Sequence, residues 1–295
     1  MSKQSLKGSV KKIITKDTVD EVRSIFEQSL IKVWKTSRPM TPRMRFHFKI
    51  SFVESYYSTV GEIFFQTPYF RGREFSDVIM FHEAYHWVIY PVDLFRGIRE
   101  VFEARRMLAE ELHFKPKIKK ETLWYKIEDW SGFEYTVKEI QFVQNILGDY
   151  LVNLHIRDMH PSLWDTLWLF LYNDGTFYEK EKAAKRDTTF MLYLSVYPIL
   201  DPTLPEVPLK DEKSKEKAVK IAELVTLCRE GKISTVLALK EMCKLFHENI
   251  LQDIEEMKKK EQEGEGSPKC PKCGNDEWEI VAYEDPKTGK WVKVK

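Results

Sequence analysis

Between Val78 and Tyr90 the sequence is apolar except at three positions, His82, Glu83 and His86. An apolar stretch of this length, with Ser76 or Asp77 ahead of it as a candidate N-cap, predicts a helix buried in a core. Polar side chains taken into a dry interior cost free energy unless something there satisfies them. The three polar residues therefore constrain the fold. Whatever packs over this helix must offer a partner to the face that positions i and i+4 share.

The spacing defines the chemistry of that partner. Histidines at i and i+4 stand about 40° apart around a helix axis, so both imidazoles reach one metal ion. Glu83 adjoins the first of them and can take a proton from a water on that ion, whose pKa zinc lowers to about 7. The HExxH pattern thus predicts a catalytic zinc held by His82 and His86, with Glu83 as the base of a hydrolase, and peptide hydrolysis is the expected class. The flanking residues Ile79, Met80, Phe81, Ala84, Tyr85, Trp87 and Val88 are all uncharged, as a helix running beneath a site requires.

Zinc in a catalytic site takes a third protein ligand. The extended motif HExxHxxGxxH is excluded, because Ile89 and Val92 stand where its glycine and last histidine belong. Glu103, one turn after Glu100 on a helix expected over about 97–112, is one candidate, as in thermolysin-like enzymes where a downstream glutamate completes the site. Arg99, Arg105 and Arg106 explain those glutamates equally well as solvated ion pairs. The stronger candidate is Asp149. Within an otherwise apolar helix expected over about 137–157, Asn145, Asp149 and Asn153 form one polar stripe at i, i+4 and i+8, and Gly148 lets a neighbouring group come close. A buried hydrogen-bonding stripe is the alternative reading of those three residues.

HEAYH followed by N-x-x-x-D-x-x-x-N resembles the zincin-like metallopeptidase domain that often precedes von Willebrand factor A-like domains in bacterial and archaeal proteins. The resemblance spans about residues 40–160 and implies that His82, His86 and Asp149 bind zinc while Glu83 is the catalytic base. No DxSxS pattern of an A-like domain occurs in this chain. Such a chain acts alone or receives that function from a partner.

Elsewhere the pattern predicts an α+β architecture: a mostly helical zincin-like domain with a small sheet over 1–200, a charged helical extension over 201–262 and a ribbon-like hairpin over 263–295. An amphipathic helix is expected over 18–34, a strand from Arg45 to Val53, and a second apolar run from Val60 to Phe65 that pairs with it. Prolines 198, 202, 205 and 208 mark the boundary near residue 200. Helices are expected over about 216–229 and 233–260, separated by Gly231. After the linker Glu261 to Pro268, strands over 278–283 and 290–294 flank a turn at Asp285 to Gly289.

Cys270 and Cys273 form a CxxC resembling the first half of a zinc ribbon, and a second zinc there is a weaker expectation. No second CxxC follows, so the hairpin is either metal-free or a half-site completed by another chain, which makes it a candidate surface for a protein partner or self-association. Cys228 and Cys243 fall within helical patterns and are expected in the core. His155, Tyr90 and Tyr150 are candidates for stabilising an oxyanion. His47, His113 and His247 have no partner at ligand spacing, and His160 is expected to be structural.

Lysine and arginine number 47 against 46 acidic residues, a net charge of +1, which disfavours nucleic acid and anionic membranes as partners. The longest apolar run, from Thr188 to Leu200, is too short to span a bilayer. The polar start of the chain predicts no signal peptide and a cytoplasmic protein. Its Lys and Glu content is compatible with a heat-adapted source. An alternative to the hydrolase is a non-catalytic, metal-stabilised binding or adaptor protein.

Overall fold

A computed structural model describes residue 28 and residues 49–53, 57–59, 62–66, 73–86, 88–90, 94–121, 126–173, 185–262, 282–284 and 291–293. The protein is a mostly helical α+β chain. It divides into two compact units, Met1–Asn249 and Ile250–Lys295. The expected helix over 18–34 falls outside the described residues except for Gln28, which is helical.

Three short strands lead the first unit. β1 (Lys49–Val53) pairs in parallel with β3 (Glu62–Gln66), and β2 (Tyr57–Thr59) lies antiparallel on the other side of β3. Ile50 stands opposite Ile63 and Phe52 opposite Phe65. The chain reverses through β2 before returning alongside β1, which is how so short a connection yields a parallel pair. The two apolar runs do pair, as their alternation implied.

Helix α1 (Arg73–His86) begins before the expected cap at Ser76 or Asp77 and ends at His86, short of Tyr90. Backbone bonds from the Val88 and Ile89 amides to the Tyr85 carbonyl close a turn just beyond it. Val78, Phe81, Ala84 and Tyr85 are buried along one side. α2 (Leu94–Glu111) buries Gly97, Val101, Ala104 and Leu108 at helical spacing and exposes Phe95, Ile98 and Phe102. A hairpin that sequence periodicity did not announce, β4 (Lys117–Glu121) with β5 (Lys126–Asp129), separates α2 from the next helix.

The centre of the unit is α3 (Val137–Met159), whose buried residues lie all around the helix from Ile140 to Ile156. It packs against α1, α2, α4 (Pro161–Asn173) and α6 (Glu212–Arg229). Thr136 caps its start by accepting from the Glu139 amide at 3.1 Å, an arrangement worth about 1 kcal/mol. Pro161 opens α4 at the one helical position where a missing N–H costs nothing, so α3 and α4 join with a single residue, His160, between them.

α5 (Thr189–Leu200) packs closely on α6, and α7 (Thr235–Gln262) follows. The proline-rich stretch near residue 200 therefore lies inside the first compact unit and not at its edge. Its chain is pinned there. Asp187 accepts the Lys210 and Asp211 amides at 2.9 and 3.0 Å, and Trp164 donates to Asp201 at 2.9 Å. Gly231 ends α6 in the left-handed region (φ 71°), with the Lys232 amide reaching back to the Leu227 carbonyl.

In the second unit β6 (Ala282–Glu284) pairs antiparallel with β7 (Trp291–Lys293); the first overlaps the end of the expected segment 278–283 and the second lies within 290–294. The Cys270 and Cys273 pair lies outside the described residues. Among the described residues no helix is long and apolar enough to cross a membrane.

Glu111 at the end of α2 takes ion pairs from Lys240 and Lys244 of α7, the latter at 2.7 Å, and those hydrogen bonds pull its pKa down from 4.5 to about 2. A carboxylate depressed on folding stabilises the native state above its unfolded value and ceases to do so as pH falls through the folded one. The pair is exposed, so its contribution is below about 1 kcal/mol. In urea titrations Glu111→Gln is expected to lower stability slightly at pH 7, with the gap to wild type closing between pH 4.5 and pH 2. A gap that stays constant through that window would show that the ion pairs contribute nothing.

Candidate metal centre

α1 and α3 cross so that the histidine face of the first meets the Asp149 and Asn153 side of the second. The Nε2 atoms of His82 and His86 stand 3.0 Å apart, and Asp149 Oδ1 lies 3.0 Å from His86 Nε2 and 3.4 Å from His82 Nε2. Ligand atoms around a tetrahedral zinc with bonds near 2.0 Å are separated by about 3.3 Å. Three atoms of the types zinc prefers already form one face of such a tetrahedron. Among the described residues this is the group of histidine, cysteine and acidic side chains whose ligand atoms converge on one point.

The far side of each imidazole is also held. His86 Nδ1 lies 3.0 Å from the Tyr90 carbonyl, which can only accept, so Nδ1 carries the proton and Nε2 turns its lone pair to the cluster. His82 Nδ1 donates to Asn153 Oδ1 at 2.7 Å, and the Asn153 amide nitrogen donates to the Tyr197 hydroxyl at 2.6 Å. Tyr197 continues to the Tyr193 hydroxyl at 2.8 Å. Burial, with the Asp149 charge adding to it, keeps the Tyr197 phenol neutral and able to donate. Outer hydrogen bonds that fix the tautomer and the ring plane are the usual companions of metal-ligating histidines.

Two imidazole nitrogens and a carboxylate oxygen this close need a positive charge among them, either a proton or a metal cation. Burial lowers the pKa of His86, yet the hydrogen bond and charge of Asp149, the charge of Glu83 and the Tyr90 carbonyl raise it to about 9. Burial likewise opposes ionisation of Asp149, and the hydrogen bonds from His82 and His86 overcome it, holding the carboxyl well below its usual range. The field of the pocket favours a cation.

Access differs among the three. The side chains of His82 and His86 are 12% and 16% exposed, whereas that of Asp149 is 32% exposed, so the cluster is open on the aspartate side. Glu83 is buried beside it, and its charge acts on His86.

Gly148 explains how the imidazole gets so close to α3. A Cβ built there would lie 3.3 Å from His86 Cε1 and 3.4 Å from a Tyr90 ring carbon. The close approach that Gly148 was expected to permit is that of His86 itself.

Of the residues singled out from the sequence, His82, His86 and Asp149 come together and Glu83 lies within their field. Glu103 does not join them; it is exposed on the outer side of α2, in a groove shared with Arg99, Arg106, Lys126 and Trp130. Asn145, the first member of the polar stripe, is exposed, while Asn153, the last, is the support of His82. Of the oxyanion candidates, Tyr150 and Tyr90 have hydroxyls already engaged, while the buried Nε2 of His155 has no hydrogen-bond partner among the described residues. Tyr150 donates to the Tyr193 carbonyl at 2.8 Å, the Tyr90 hydroxyl is buried against Gln144, and His155 packs edge-on to Tyr85 at 4.9 Å between centroids. His160 meets the Tyr85 hydroxyl at 2.9 Å, on the side of α1 away from the cluster.

Cys228 and Cys243 are buried thiols, and burial pushes Cys228 up to about 11. His247 has a partner that spacing did not reveal, Glu139, at 2.5 Å. Also missed were Tyr90 as the backbone acceptor of His86 and Tyr197 as the support of Asn153. Neither leaves a spacing signal, because a carbonyl has no residue type and Tyr197 comes from a helix 44 residues after Asn153.

Comparison with known protein families, with curated proteins and with solved structures finds no match for this chain.

Gly148→Ala should separate packing at the site from stability of the helix. Alanine improves helix propensity by about 1 kcal/mol, but its methyl pushes the His86 ring by a few tenths of an ångström. The expected result is a metal affinity lowered about tenfold in chelator competition, with an unchanged or higher melting temperature of the metal-free protein. Unaltered affinity would mean that the His86 position tolerates the shift and the site is loosely built.

Proposed function

We propose that the chain is a zinc-dependent metallohydrolase, of the metallopeptidase class, with His82, His86 and Asp149 as ligands and Glu83 as the general base. The observation that carries this reading is the convergence of two imidazole Nε2 atoms and one carboxylate oxygen within 3.4 Å, each imidazole anchored at its other nitrogen.

Three ligands and an open aspartate side speak for catalysis over a structural role, since structural zinc sites close with four protein ligands. Zinc bound there supplies Lewis acidity toward a carbonyl oxygen and lowers the pKa of its water to about 7. Asp149 and the two neutral imidazoles hold the charge balance at one negative ligand. Glu83, buried and adjacent to His82 in sequence, accepts the proton of the attacking water and returns it to the leaving amine. Asn153 and the Tyr90 carbonyl keep both rings in the tautomer that presents Nε2. The expected substrate is a peptide or protein, and zinc the resident ion.

Metal analysis of the purified protein tests the ligand set. Wild type and Glu103→Ala are expected to hold about one zinc per chain, and His86→Ala and Asp149→Ala to lose it. Retention in Asp149→Ala with loss in Glu103→Ala would overturn the assignment. Zinc in excess of one that disappears in Cys270→Ser would place a second ion at the CxxC. Glu83→Gln is expected to keep its zinc and to hydrolyse peptides about 10²- to 10⁴-fold more slowly. Undiminished hydrolysis in Glu83→Gln refutes the mechanism, and a zinc-loaded wild type inert toward every peptide favours the binding or adaptor protein.

A further inference from the structure

Glu100 is 4% exposed on the inner side of α2, a position at which an unpaired carboxylate is strongly unfavourable. It gathers donors from three directions. Arg96 Nε donates at 3.0 Å, the Thr235 hydroxyl at the start of α7 donates at 2.7 Å, and Gln144 of α3 approaches at 3.5 Å. The same Gln144 Nε2 lies 3.4 Å from the Tyr90 hydroxyl, so one side-chain amide links the carboxylate to the phenol.

Tyr90 is 1% exposed and immobilised on every side. Its ring abuts the backbone at Gly148, the Arg96 guanidinium lies 5.8 Å over the ring, and Gln144, itself within 3.5 Å of Glu100, donates to the hydroxyl. The same residue presents its carbonyl to His86 Nδ1 at 3.0 Å. Tyr90 lies outside any helix, so no helical ladder fixes the direction of that carbonyl.

We propose that Glu100 is a positioning residue for the metal centre: its carboxylate, through the Gln144 amide, anchors the Tyr90 hydroxyl, and Tyr90, so anchored, aims its carbonyl at His86 Nδ1 and sets the ring plane and tautomer of that ligand. The proposal rests on the reading of His82, His86 and Asp149 as metal ligands. Glu100 itself touches neither the ligand atoms nor the site of reaction. A purely structural role, as the buried anchor of Thr235 and Arg96, predicts loss of stability alone.

The test is a double-mutant cycle on metal affinity with Glu100→Gln, Tyr90→Phe and the two combined, read by zinc competition and by the visible spectrum of the cobalt-substituted protein. Tyr90→Phe keeps the ring and its packing, so it remains informative if Glu100→Gln folds poorly. Each single variant is expected to weaken zinc binding about tenfold and alter the cobalt spectrum, and the double variant to be no weaker than the weaker single. Asp187→Asn, which loosens the 201–211 segment far along the chain, is expected to lower the melting temperature and leave zinc affinity and spectrum unchanged. Additive losses, or full affinity and an unaltered spectrum in Glu100→Gln, overturn the proposal.

Imidazole nitrogen NMR on the metal-free proteins adds a readout independent of the ion. His86 is expected to lose its fixed Nδ1 proton in both single variants and to keep it in Asp187→Asn. If the wild type binds neither zinc nor cobalt, the metal reading falls, while an unchanged His86 signal in both single variants still overturns the role of Glu100.

Discussion

The meeting of three polar atoms between two helices organises this molecule. His82 Nε2, His86 Nε2 and Asp149 Oδ1 lie within 3.4 Å of one another. Such a cluster holds together only with a positive charge in it, a proton shared by His86 and Asp149 at 3.0 Å or a cation in its place. Here the surroundings oppose splaying: each ring is tethered behind, one by a side-chain amide and one by a main-chain carbonyl. On the proposed reading, a cation bound among the three atoms couples folding to metal binding.

The tethers account for much of the architecture around them. α3 is buried around most of its circumference, supplying Asp149 and Asn153 to α1, Gln144 to α2, and an apolar surface to α4 and α6. α5 meets α3 through a tyrosine cluster, with the rings of Tyr150, Tyr193 and Tyr197 at tilted or edge-on angles within 5.4 Å of one another and Tyr197 hydrogen-bonded to Asn153. Aromatic residues suit this task. They fill volume like a core and still offer one polar atom at a defined place.

The sequence was informative where chemistry repeats along a helix and silent where it crosses between elements. His82 and His86 were legible because i, i+4 is a geometric statement. Asp149 was legible because a charge on an apolar helix needs a reason, and Gly148 beside it marked a close contact. Glu103 looked equivalent by residue type, and only the facing of α2 separated it from the site. Asn145 and Asn153 belonged to one stripe, but the way two helices cross decides which end of a stripe meets the partner. Tyr90, Tyr197 and Glu100 were beyond reach: their roles depend on a turn, a distant helix and a burial pattern that no local period encodes. The small sheet was anticipated as paired runs, whereas its parallel sense came from the intervening β2.

The support of His82 carries a temporal consequence. Its chain of hydrogen bonds runs from Asn153 to Tyr197, so a polypeptide leaving the ribosome has all three ligands in hand well before it has the helix that braces them. During synthesis the nascent chain passes through a stage in which the histidines can meet any available ion in an unbraced setting. On the proposed metal reading, selectivity for one ion is then a property acquired late, when α5 docks, and the order of emergence becomes part of how the centre is loaded.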